Sequence, residues 1–230
     1  MVVALVPAAG HGERFGSTTP KQFLPLNGVP VLIRTLQRLC QLPDIAAVVV
    51  AVPAAWLEFS RQLCQQYGFG STVRLVIGGE ERQDSVARAL QTEEVSEAEF
   101  VVIHDAVRPF APAELFQRVL QAARQHGAAV PGLPPTETVK ETTPEGFVRQ
   151  TLPRERLRLI QTPQAFRREL LQRAYDAALQ HHLRATDDAA LVEALGHPVA
   201  IIEGVPENLK ITHPLDWALA ELLAHIEEQR

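Results

Sequence analysis

Two cationic residues punctuate a glycine-bearing stretch, "AGHGERFGSTTPKQF", that follows directly on the apolar run "VVALVPA". Gly10, Gly12 and Gly16 permit unusual backbone angles and allow main-chain amides to approach phosphate oxygens closely. Arg14 can fork across two such oxygens, while Lys21 supplies a mobile point charge. The pair suits a polyphosphate undergoing attack. A mobile surface turn with solvated charges would use the same residues, so the loop alone leaves two readings open. A Walker A loop is excluded, because no Gly-Lys-Ser/Thr stands at its spacing. A dinucleotide fingerprint fits worse, since "GHGERFG" has the wrong final interval.

A second constellation is "VVIHDAVRPF". A strand ending near His104 would put Asp105 and Arg108 on the same rim as the first loop. Asp105 could accept a hydroxyl or approach a divalent ion through water, and Arg108 could bind a phosphate; the two could equally pair with each other. In "IGGEERQDSVARAL", Gly78 and Gly79 can bring backbone close to a flat base. Ser85 there is a hydrogen-bonding group at a helix start, or simply a helix-start residue. Arg154, Thr162, Thr186, Asp187 and Lys210 are more scattered; Thr186 and Asp187 read first as a helix cap. There is no Ser-His-Asp signature, no G-x-S-x-G elbow and no H-E-x-x-H. The adjacent His181 and His182 point about 100° apart on a helix, which argues against a shared metal.

These groups need a scaffold that gathers loops at one rim. Short β-branched runs at 2–6, 46–52, 72–77, 100–104 and 199–202 alternate with segments of helical character such as "PVLIRTLQRLC" and "PAELFQRVLQAARQHG". Runs of strand length without polar alternation suggest strands covered on both faces. With helical crossovers between them, a three-layer α/β fold with a mostly parallel sheet follows, and its ligands belong at the carboxyl ends of the strands. The segment from Pro131 to Pro163 breaks the rhythm. "TVKET" and "FVRQTL", separated by "TPEG", predict an antiparallel β-arm over 134–160, either a surface hairpin or a dimer-joining arm. After it, "QAFRRELLQRAYDAALQHH", "TDDAALVEALG" and "PLDWALAELLAHIEEQ" predict helices.

The totals agree with one domain over 1–230. A formal charge of −5 gives no basic footprint for nucleic acid. The start lacks a basic leader and its apolar run is too short to span a bilayer, so neither membrane nor secretion is expected. Cys40 and Cys64, the two cysteines, have no metal-ligand spacing, which fits reduced thiols in the cytoplasm.

The assembled motifs resemble the 2-C-methyl-D-erythritol 4-phosphate cytidylyltransferase family. The resemblance is carried by "PAAGHGERFG", "PKQFLPLNGVPVL", "GGEERQDSV", "HDAVRPF", "TVKET", "TPQAF", "TDDA" and "NLKITHPLD", in order and over nearly the whole chain. It implies a Rossmann-like nucleotidyltransferase fold and transfer of the cytidylyl group of CTP to methylerythritol 4-phosphate, in isoprene biosynthesis. It also implies Mg²⁺ held mainly through the CTP phosphates, with no protein metal site, and a homodimer whose arms reach the neighbouring sites. By resemblance, Arg14 and Lys21 stabilise the transition state. Ala8, Ala9, Gly10, Gly12, Gly79 and Ser85 hold CTP, and Asp105 and Ala106 meet its ribose. Asp105, Arg108, Thr138, Arg154, Thr162, Thr186, Asp187 and Lys210 bind the polyol phosphate. Two other readings use the same residues: a ribitol 5-phosphate cytidylyltransferase, and a nucleotide-binding regulatory module without turnover.

Overall fold

The computed structural model describes residues 1–10 and 19–229. In chain order, β1 (Val2–Pro7) is followed by a small hairpin of β2 (Pro25–Leu26) and β3 (Val29–Pro30). Next come α1 (Val31–Cys40), β4 (Ile45–Val52), α2 (Leu57–Gln66) and β5 (Val73–Ile77). Then follow α3 (Arg82–Leu90), the short α4 (Glu93–Ser96), β6 (Phe100–Ile103), α5 (Ala113–His126) and β7 (Ala128–Leu133). A hairpin of β8 (Lys140–Thr142) and β9 (Val148–Thr151) comes next, and the chain returns through β10 (Leu159–Ile160) and β11 (Gln164–Arg167). The chain ends with α6 (Arg168–Gln180), α7 (Asp188–Ala194), β12 (Ala200–Glu203) and α8 (Pro214–Glu228).

β5, β4, β1 and β6 lie side by side and parallel. β11 is inserted antiparallel between β6 and β7, and β12 runs parallel to β7 on the far edge. This is the three-layer, mostly parallel arrangement expected from the apolar runs. Side chains alternate across it. Val2, Ala4, Val6, Val48 and Val50 pack with α1, α2 and α5, whereas Val3, Leu5, Val49, Val101 and Ile103 pack with α3, α6 and α7. Burial on both faces is why these strands carry no polar residues at alternate positions. A third cluster seats α8 through Ala220 and Ala224 against Leu26, Val31, Val107, Phe110 and Ile211.

One expectation needs correction. The segment from Gln164 to His182 reads as a single helix, but its first four residues form β11 and the helix begins at Arg168. Ala165 and Phe166 are both fully buried, one in the cluster on each face of the sheet. The antiparallel direction matters for function. Gln164 pairs with Ile103 and Arg167 with Phe100, so the start of β11 lies beside the end of β6. Gln161, Thr162 and Gln164 are thereby brought to the rim where the parallel strands end.

The expected arm is also present. β8 and β9 pair antiparallel, and Phe147 and Val148 at its tip are 71% and 60% exposed. Cys40 and Cys64 are free thiols, and burial, with Cys64 nearby, pushes Cys40 up to about 11. Among the described residues no helix is long and apolar enough to cross a membrane.

Candidate active site

The ends of β1 and β6 open onto a cleft of about 370 Å³. Ala8, Ala9 and Gly10 line it from β1, Glu80, Arg82 and Ser85 from the start of α3, and Asp105 and Ala106 from the end of β6. Lys21, Gln22 and Lys210 complete its walls. A neighbouring hollow of about 450 Å³ is lined by Arg108, Thr162, Gln164, Thr186 and Asp187, among others. Arg82, Asp105 and Lys210 line both. Two ligand-sized spaces thus share one wall made of charges.

That wall centres on Asp105, whose side chain is 8% exposed. Arg82 Nε lies 3.1 Å from its Oδ1, while Lys210 Nζ and Arg108 Nε lie 2.9 Å and 3.5 Å from its Oδ2. Burial alone would push this carboxyl up. The three cations Arg82, Lys210 and Arg108 outweigh it and hold the group well below the usual carboxylate range. Three cations against one carboxylate leave a positive excess, which Asp188 reduces by its 2.7 Å contact with Arg82 Nη2. Those two atoms are close but make no aligned hydrogen bond, so the contact is an ion pair. A positive surplus on a wall between two cavities is suited to drawing two anions together.

The rim beneath Asp105 is fixed by a set of hydrogen bonds. His104 is buried, and its Nε2 faces the Arg108 carbonyl oxygen at 3.0 Å, an acceptor, so Nε2 carries the proton. Its Nδ1 then accepts from the Thr162 hydroxyl at 3.1 Å, while Thr162 Oγ1 accepts from the Asp105 amide at 3.0 Å. Burial lowers the His104 pKa to about 4, consistent with this neutral tautomer. Arg108 Nη1 donates to the Asn208 carbonyl (2.7 Å), and Asn208 Nδ2 donates to the Thr162 carbonyl (2.7 Å). Gln164 donates to Asp187 Oδ2 (2.8 Å), and Asp187 Oδ1 accepts from Ala190 N, the cap expected for α7.

Close packing explains the paired glycines. A Cβ on Gly78 would stand 2.4 Å from Ala9 Cβ and 2.8 Å from Ser85 Oγ, and one on Gly79 would stand 2.2 Å from Asp84 Cβ. The Gly79 amide donates to Ser85 Oγ (3.1 Å), which in turn donates to the Glu81 carbonyl. These glycines thus let the turn from β5 into α3 pack tightly against Ala9 and the start of α3. Gln22 performs a similar service at the other wall: its Nε2 donates to the Ala8 carbonyl (2.6 Å) and the Gly10 carbonyl (3.1 Å). That amide ties the segment carrying Lys21 to the end of β1.

Of the residues singled out from the sequence, Ala8, Ala9, Gly10, Lys21, Ser85, Asp105, Ala106, Arg108, Thr162, Thr186, Asp187 and Lys210 line one or both cavities. Gly79 lies just behind Ser85. Arg14 and Gly12 lie outside the described residues. Thr138 and Arg154 belong to the arm region and line neither cavity; Arg154 donates to the Thr136 carbonyl. Sequence reading missed Arg82, Asp188, Tyr175, Gln22 and the His104–Thr162 pair. Arg82 lay inside a quoted motif, but an arginine in a helix's first turn carries no chemical signature.

The chain is similar to known proteins over nearly its whole length. The family model for 2-C-methyl-D-erythritol 4-phosphate cytidylyltransferase matches residues 2–225. A protein of that description from Syntrophus aciditrophicus is 46% identical over 230 residues, covering all of this chain and 98% of the relative. One from Acidobacterium capsulatum is 44% identical over 227 residues, covering 95% of each. The crystal structure of the 2-C-methyl-D-erythritol 4-phosphate cytidylyltransferase from Thermus thermophilus is similar at a TM-score of 0.79 and 41% identity, over 97% of this chain and 98% of that one. The 4-diphosphocytidyl-2C-methyl-D-erythritol synthase of Anaerococcus prevotii is similar at a TM-score of 0.86 and 28% identity, over 97% and 96%.

Proposed function

Because the chain belongs to the 2-C-methyl-D-erythritol 4-phosphate cytidylyltransferase family, we propose that its two adjoining cavities divide the two substrates between them. The enzyme transfers the cytidylyl group of CTP to 2-C-methyl-D-erythritol 4-phosphate, giving 4-diphosphocytidyl-methylerythritol and pyrophosphate. CTP occupies the cleft between β1 and α3, against Ala8, Ala9, Gly10, Ser85 and Ala106. The polyol phosphate occupies the hollow of Arg108, Thr162, Thr186 and Asp187. The observation that carries this division is the shared wall of Asp105, Arg82 and Lys210, which would stand where the two ligands meet.

In the reaction a phosphate oxygen of the polyol phosphate bonds to the α-phosphorus of CTP, and the bond to the β-phosphate bridging oxygen breaks. The nucleophile is largely ionised near neutrality, its second pKa being about 6. No strong base is therefore required, and the neutral, buried His104 has no proton-transfer part to play. The need is to align two anions that repel each other and to stabilise charge on the α-phosphate and departing pyrophosphate. Lys21 and Arg14 act on the triphosphate. Lys210 and Arg108 draw the incoming phosphate, and Asp105 holds both cations while accepting hydrogen bonds from hydroxyls of ribose or polyol.

Magnesium neutralises triphosphate charge when bound. Among the described residues, no cluster of three His, Cys, Asp or Glu side chains is present to cage it, and both Asp105 oxygens face cations. The ion is therefore assigned to the nucleotide phosphates, as suits a metal that keeps waters and substrate oxygens.

The arm makes the enzyme a homodimer in this reading, and Thr138 and Arg154 serve the partner's polyol-phosphate hollow. The exposed Phe147 and Val148 and the absence of Arg154 from its own subunit's cavities support it. Free cysteines fit a cytoplasmic location. Pyrophosphate release from CTP and Mg²⁺, with methylerythritol 4-phosphate and ribitol 5-phosphate compared side by side, tests the reading. Strong preference for the branched polyol is expected; preference for ribitol phosphate overturns the substrate, and silence with both overturns turnover altogether.

A further inference from the structure

Arginine and a carboxylate ordinarily meet as a fork, two nitrogens on two oxygens. Arg82 does not do this with Asp105. Only its Nε reaches that carboxylate, at Oδ1, because Nη2 is held by Asp188 Oδ2 at 2.7 Å. Asp188 is in turn held from behind: the Tyr175 hydroxyl donates to its Oδ1 at 2.5 Å, and its side chain is 1% exposed. Burial and the neighbouring carboxylate push the Tyr175 phenol far above its ordinary value, so it remains a donor. A chain of contacts thus runs from α6 through α7 and α3 to the end of β6.

We propose that Asp188, fixed by Tyr175, is a positioning residue for cytidylyl transfer, which keeps Arg82 off Asp105 Oδ2 and so leaves that oxygen to Lys210 and, at longer range, Arg108. Free of Asp188, the guanidinium of Arg82 would close as a fork over Asp105. Lys210 Nζ, now 2.9 Å from Oδ2 and 43% exposed in side chain, would lose its anchor between the two cavities. A buried carboxylate is also a poor device for stability alone, since apolar replacement of buried ion pairs is often neutral or stabilising. This inference rests on the assignment of Lys210 to the polyol-phosphate hollow.

The test is a double-mutant cycle on kcat/KM for methylerythritol 4-phosphate, pairing Asp188→Asn with Lys210→Ala. Alone, Asp188→Asn should cost about tenfold or more, with the rise in KM for the polyol phosphate matching that of Lys210→Ala. In the Lys210→Ala background it should cost less than about threefold. An equal factor in both backgrounds means Asp188 acts on the fold and not through Lys210, and overturns the proposal. Lys210→Ala without effect overturns the site assignment itself, and the proposal with it. If Asp188→Asn does not fold, Tyr175→Phe, which removes one hydroxyl, takes its place in the cycle under the same criteria. Arg82→Lys keeps the charge but cannot close as a fork, so in that background Asp188→Asn should cost less than about threefold, and an undiminished Asp188→Asn defect there would contradict the mechanism.

Discussion

Lys21 lines the cleft proposed for the nucleotide, tied in place one residue along by Gln22. If it stabilises charge that develops only during transfer, Lys21→Ala lowers kcat roughly a hundredfold while the KM for CTP changes little. Steady-state kinetics that show a raised KM at unchanged kcat would assign it to ground-state binding instead. His104 yields a prediction of another kind. Its pKa falls from 6.5 to about 4 on folding, so between those values the unfolded chain takes up a proton that the folded chain refuses. Stability therefore drops as pH falls through that window, by up to roughly 3 kcal/mol if no other group intervenes. The Asp105 carboxyl, held low by its cations, adds its own loss only below the ordinary carboxylate value of 3.8. Denaturant unfolding at pH 6.5 and 4.5 should show a slope in wild type that flattens in His104→Gln; equal slopes would contradict it. At this scale the sequence disclosed most of the residues that line the two cavities, whose types are unusual in loops. It hid Arg82, Asp188 and Tyr175, whose meaning lies in contacts between α3, α6 and α7 that no spacing records.

At the scale of elements, the turn from β5 into α3 packs against Ala9 and Ser85 closely enough to exclude a methyl group at Gly78. Gly78→Ala should destabilise the fold by about 1–3 kcal/mol and weaken CTP binding, since Ala9 and Ser85 must move. Gly10→Ala is the control: among the described residues nothing lies within 4 Å of its added Cβ, and thermal unfolding should be unchanged. Equal melting temperatures for the two variants would contradict the packing argument. The alternation of parallel strands and helices was readable because doubly covered strands must be apolar throughout. β11 was not, because three successive buried residues and one exposed arginine carry no period of their own and run straight into the α6 pattern. The arm was readable from its turn chemistry, "TPEG", flanked by β-formers.

At the scale of the whole molecule, the arm leaves from β7 and returns through β10 to Thr162, so a single excursion of chain connects the protruding hairpin to the rim of its own site. What it carries outward, Arg154, lines neither cavity of its own subunit, and in the proposed homodimer it serves the partner's site. Two defective proteins should consequently cure one another. When Lys210→Ala and Arg154→Ala subunits are mixed and allowed to exchange, each mixed dimer has one site lacking both groups and one site lacking neither. Random exchange makes about half of the dimers mixed, so about a quarter of the wild-type rate should reappear from two nearly inactive preparations. Were Arg154 to serve its own subunit, every site in every dimer would lack one group, and mixing would restore nothing. In a cell carrying both alleles the same arithmetic becomes genetic complementation within a single gene.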